Sequence, residues 1–112
     1  MTVMKINEHG RTDIYEVVDK IPKGYEVWNI GSHAPKGYLP LCLRVAGTYT
    51  IQPNALKAMK FEGDDYNFIT FASVRYGFTS KENTKRRLPM LKSTKKVEVA
   101  KRALEIYERI SE

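Results

Sequence analysis

Few side chains in this chain are of the types that do chemistry, and their spacing limits what they can be. The two histidines, His9 and His33, lie 24 positions apart, and Cys42 is the single cysteine. A metal site needs three or four His, Cys, Asp or Glu ligands at characteristic spacing, so no zinc site and no cofactor are expected. Cys42 beside His33 could form a nucleophile and its base. The surrounding "LPLCLRV", however, reads as a buried strand in which a thiol behaves as a small hydrophobe. The neighbouring carboxylates Asp64 and Asp65 diverge in direction, which suits a helix cap better than a paired acid site. Gly24, Gly31, Gly37 and Gly47 are dispersed among turns and form no phosphate-cradling motif. The expectation is a protein that is not an enzyme.

The basic residues are a different matter. Between positions 75 and 102 there are ten bases against two acids, whereas the rest of the chain holds nine bases and eleven acids. Arg75, Lys81, Lys85, Arg86, Arg87, Lys92, Lys95 and Lys96 are therefore the candidate contacts to a polyanion, chiefly to phosphates. Tyr76 and Phe78 stand beside them and would stack on unpaired bases if exposed. No RNP, KH-type or recognition-helix pattern is present, so no sequence-specific reading is implied. The expected function is a small, basic, non-enzymatic nucleic-acid-binding module. The alternative is a protein that binds the acidic surface of a nucleic-acid enzyme as inhibitor or adaptor, with Trp28, Tyr76 and Phe78 as anchors. Size and charge are those of accessory proteins that phages and mobile elements carry.

These residues must be positioned by one small domain. A length of 112 residues allows a single core, residues 1–112, and is too short for two. With 42% hydrophobic and 29% charged residues the composition is ordinary for a globular protein. No apolar run reaches the roughly 18 residues of a membrane helix. The start "MTVMKINEHG" lacks a basic stretch followed by an apolar run, so no membrane contact and a cytoplasmic location are expected.

"TDIYEVVDK" predicts a first helix, with Asp13 and Glu16 as a capping box and Ile14, Val17, Val18 and Ile21 on one face. The tetrapeptide "PKGY" then occurs twice, at 22–25 and 35–38. Proline presetting the turn's second position and glycine closing it make each copy a turn that launches a strand. The strands are residues 25–30 and 38–45, with Pro40 implying an edge or a bulge, and an alternating third, residues 48–52. "PNALKAMK" suits a short helix. Residues 64–76 fit a helix better than a strand, with Asp64 as cap and Gly77 as terminator. Residues 79–93 read as a mobile basic segment. The last element, "KKVEVAKRALEIYERI", is an amphipathic helix whose first turn oddly carries Lys95 and Lys96. The predicted class is α+β, with a small antiparallel sheet of about three strands packed on an N-terminal and a long C-terminal helix.

Overall fold

The computed structural model describes residues 2–8, 11–28, 34–45, 48–50 and 56–112. His9, His33 and the first part of "PNALKAMK" lie outside them.

The chain opens with a hairpin of two antiparallel strands, β1 (Thr2–Glu8) and β2 (Arg11–Val18), and not with a helix. The segment read as helical is rich in β-branched and aromatic residues, which fit a pleated surface. Its burial has period two: Tyr15 is 1% exposed while Ile14 beside it is 51% exposed. Glu16, expected in a capping box, instead accepts a 2.6 Å hydrogen bond from Lys57 Nζ across the sheet. That bond raises the lysine's pKa above its ordinary value.

Four further strands follow: β3 (Tyr25–Val27), β4 (Tyr38–Val45), β5 (Thr48–Thr50) and β6 (Lys57–Lys60). The expected antiparallel meander is present, because β4 pairs with both β3 and β5. The sheet is nevertheless larger and mixed. Its order is β1-β2-β6-β4-β3, with β2 and β6 parallel and β5 on the flank of β4. "KAMK" is thus an inner strand despite its helix-forming residues. Ala58 and Met59, both buried, face opposite sides of the sheet, and burial on both faces overrides local propensity.

Pro40 sits on an inner strand in regular register, contrary to the edge position or bulge expected of it. Its carbonyl accepts the Trp28 amide at 2.7 Å, so its missing N–H also falls on the β3 side, one residue past Val27, where that strand ends. The ladder to β6, on the other side of β4, loses nothing.

Both "PKGY" segments are β-turns, with proline at the first position and not the second. Tyr25 N–H bonds to the Pro22 carbonyl at 3.1 Å and Tyr38 N–H to the Pro35 carbonyl at 3.0 Å. Gly24 (φ 88°) and Gly37 (φ 92°) occupy the third position, where a type II turn demands positive φ. Each glycine carbonyl then accepts a backbone amide from the adjoining strand, Gly24 from Arg44 at 2.9 Å and Gly37 from Phe61 at 2.7 Å. One piece of turn chemistry therefore extends two ladders by one pair each.

Three helices complete the domain: α1 (Asp64–Tyr76), α2 (Lys81–Arg87) and α3 (Thr94–Ile110). For α1 the helical expectation holds, with Gly77 as terminator. Asp64 is its first residue, however, and no side chain caps it. The segment 79–93, expected to be irregular, contains α2 and a 3-10 turn at Leu88–Met90. For α2, Ser80 accepts the Asn83 amide at 2.9 Å as N-cap, and Thr84 is wholly buried. Lys95 and Lys96 of α3 point to water, and Ser93 caps that helix through the Lys96 amide.

The helices bury Ile69, Ala72, Val99, Ala100, Ala103, Ile106 and Tyr107 against Val27, Leu39, Leu41, Met59 and Phe61. On the other side of the sheet a smaller cluster joins Tyr15, Leu56 and Ala58 to Met4, Trp28 and Ala34. Cys42 is fully buried on β4, and burial first, then the Glu26 carboxylate, pushes its thiol up to about 11. No helix among the described residues is long and apolar enough to cross a membrane.

Candidate polyanion-binding surface

Asp65 at the start of α1 pairs with Arg109 near the end of α3, and the Arg102 guanidinium, two turns earlier in α3, lies 4.2 Å over the Phe68 ring. The Tyr107 hydroxyl, in the last turns of α3, reaches the Phe78 carbonyl just past the end of α1. The basic residues of 75–102 are spread over the last turn of α1, α2, the segment after it and the start of α3.

Arg75, Lys85, Arg86, Lys92, Lys95 and Lys96 are exposed, and Lys81 is half-buried. The ion pairs found among the described residues, Glu26 with Arg44, Glu16 with Lys57 and Asp65 with Arg109, involve none of these seven. Arg87 differs from its neighbours. Its guanidinium donates to the Tyr76 carbonyl at 2.8 Å, in the last turn of α1, and lies 4.6 Å over the Phe78 ring. A cation at a helix C-terminus, stacked on an aromatic face, holds structure together.

A buried acid anchors the start of α2 to the sheet. Glu26 on β3 is 7% exposed. It accepts hydrogen bonds from Arg44 at 3.1 Å, Thr79 Oγ1 at 2.9 Å and Ser80 Oγ at 3.4 Å. The Val27 amide also donates to the Thr79 carbonyl at 2.9 Å, so the segment before α2 lies along the outer edge of β3. Glu26 thereby holds the residue that caps α2, and α2 carries Lys85 and Arg86. Between these elements runs a cleft of about 260 Å³ lined by Glu26, Arg44, Ser80, Asn83 and Arg86.

The three expected anchors are placed unequally. Phe78 has no exposed surface: its ring stacks on Tyr76 with centroids 5.9 Å apart, and its carbonyl accepts the Tyr107 hydroxyl at 2.8 Å. It cannot meet a base or a partner as placed. Desolvation drives the Tyr107 hydroxyl's pKa upward, which keeps this donor protonated. Tyr76 and Trp28 are half-buried, and Trp28 lies in a cleft with Tyr38, Tyr66, Thr70 and Val74.

Sequence reasoning missed Phe71 and Val74, which are 39% and 66% exposed on the outer side of α1. Their signal was available. Once α1 is taken as helical, with Ile69, Ala72 and Ser73 facing inward, positions 71 and 74 must face out. Among the described residues no three His, Cys, Asp or Glu side chains are grouped as metal ligands would be. Comparison with protein-family models, with curated proteins and with solved structures finds no match to this chain.

Proposed function

We propose that this protein is a non-enzymatic binding module that contacts nucleic acid through its phosphates. The contacts are Arg75, Lys85, Arg86, Lys92, Lys95 and Lys96, with Lys81 at the margin. The observation that carries the reading is the absence of ion-pair partners for these cations among the described residues, in a domain that pairs charges elsewhere. Like charges left without ion-pair partners on a small domain repel one another, and a polyanion relieves that repulsion while releasing its condensed counterions.

A salt titration of binding tests this. Lys85→Gln combined with Arg86→Gln should weaken binding to unrelated sequences by a similar factor. It should also flatten the dependence on salt by about two phosphate contacts, leaving the melting temperature in place. Undetectable binding of the unaltered protein to any oligonucleotide at low salt refutes the reading. In that case capture of an acidic protein from nuclease-treated lysate, lost in the same double variant, would favour the adaptor or inhibitor alternative.

A further inference from the structure

Four aromatic rings form a continuous chain along α1 and the segment after it. Phe68 and Phe71 lie 6.1 Å apart, Phe71 and Tyr76 5.5 Å apart edge to face, and Tyr76 and Phe78 5.9 Å apart and stacked. A guanidinium closes each end, Arg102 at 4.2 Å over Phe68 and Arg87 at 4.6 Å over Phe78. The rings thus differ in what remains available. Phe78 is wholly buried, while Phe68 and Tyr76 are half-buried, Phe68 under Arg102 and Tyr76 against Phe78. Phe71 alone of the four is exposed, at 39%, and Val74 beside it on the outer side of α1 is 66% exposed.

The surroundings of Phe71 select its partner. Arg75 follows one turn later on the same side of α1, and Arg102 flanks the neighbouring ring; both are exposed. An aromatic surface between cations matches an unpaired base joined to phosphates, since bases offer a π-face whatever their identity. In a duplex the bases are already stacked on each other and have no free face for the ring. We propose that Phe71 is a stacking platform for an unpaired base, and that the nucleic acid this protein prefers is therefore single-stranded. The inference rests on the phosphate-binding reading above and adds strand selectivity to it. Arg102 has a positioning role, fixing Phe68 beneath its guanidinium and so the ring against which Phe71 packs.

The test is a fluorescence-anisotropy titration of a labelled single-stranded oligonucleotide and of the same sequence as a duplex. It uses the full chain and the variants Phe71→Ala and Phe71→Trp. The single strand should bind more tightly than the duplex. Phe71→Ala should weaken single-strand binding roughly ten- to hundredfold, leave duplex binding within about twofold and keep the salt slope unchanged, because no phosphate contact is lost. Phe71→Trp should retain the preference. An unchanged melting temperature for Phe71→Ala separates loss of stacking from loss of fold. If the variant binds the single strand as the unaltered protein does, or weakens both forms equally, the stacking inference is overturned while phosphate binding stands. If the unaltered protein binds neither form, both readings fall. Retained nucleic-acid binding by Phe71→Ala with loss of a captured protein would also overturn the inference and assign the ring to a protein interface.

Discussion

The C-terminal end of α3 and the junction of α1 with α2 are fastened to the rest of the fold by different means. At the end of α3 the fastening is largely main-chain. Ile21 N–H donates to the Ile110 carbonyl at 2.8 Å, Glu112 N–H returns to Ile21 at 3.0 Å, and Lys20 Nζ donates to the Arg109 carbonyl at 2.8 Å. A cleft of about 590 Å³ opens there, with Asp19, Glu62 and Asp65 among its lining. At the junction of α1 and α2 the fastening includes the main-chain bond from Val27 to Thr79, but side chains do most of it: Glu26 on Thr79 and Ser80, Arg87 on Tyr76, Tyr107 on Phe78. The junction is held by buried groups and, Arg87 apart, not by the exposed cations of the basic segment. Binding and stability should therefore separate cleanly there.

The largest test of this contrast is Phe78→Ala. It removes a wholly buried ring that Tyr76 and Arg87 both contact, and should destabilise the protein by about 3–5 kcal/mol. For a domain of this size that lowers the melting temperature by roughly 15 °C or more. Amide exchange should rise first in α2 and the adjoining end of α1, with the bonds around Ile21 protected longest. Equal loss of protection at both places would break the comparison.

Glu26→Ala comes next. It leaves Arg44, Thr79 and Ser80 without their shared acceptor, at a cost of about 1.5–3 kcal/mol. Cys42 reports the consequence, because it lies directly opposite Glu26 in the β3–β4 register and is fully buried. Thiol labelling should accelerate in the variant more than its fall in global stability accounts for. The same thiol gives a pH signature. Its folded value of about 11 stands above the ordinary 9.0, so the unfolded chain loses the proton first. The stability it contributes is complete below about pH 9 and declines as pH rises from 9 toward 11. A decline over that window no steeper than that of Cys42→Ala would show the thiol to be better solvated than its position implies.

What could be read in the sequence differs from element to element. For α1 and α3 local signals and tertiary structure agree: the apolar face of α3 survives as buried Val99, Ala100, Ala103, Ile106 and Tyr107, with Val97 and Leu104 half-buried, and Gly77 ends α1 as expected. The helix α2, inside the segment read as mobile, was not legible. In the sheet the reading held for the β3–β4–β5 meander and failed for β2 and β6. Ile14, Val17, Val18 and Ile21 satisfy a helical face as well as a strand, and only pairing with β1 and β6 decides between them. Residues of good helix propensity in β6 are overridden because that strand is buried between β2 and β4. For the candidate surface, exposure of the lysines and arginines was legible from charge alone. The structural duty of Arg87, the burial of Phe78 and the anchoring by Glu26 were not, since each depends on contacts made across the fold, up to 54 positions apart.

The smallest effect belongs to the end of α3. Asp65 and Arg109 form an ion pair with side chains 32% and 61% exposed, so water and salt screen the attraction and ordering two long side chains offsets much of it. Asp65→Asn should cost no more than about 1 kcal/mol, with most of that loss disappearing in high salt, and should leave nucleic-acid binding unaltered. The main-chain bonds from Ile21 to Ile110 and Glu112 remain in the variant, and they are what fastens this end. Chemical denaturation at low and high salt reads the difference directly. A loss well above 1 kcal/mol that persists in salt would mean that the ion pair, not the backbone, holds the end of α3, and the contrast between the two fastenings would then be one of position rather than of kind.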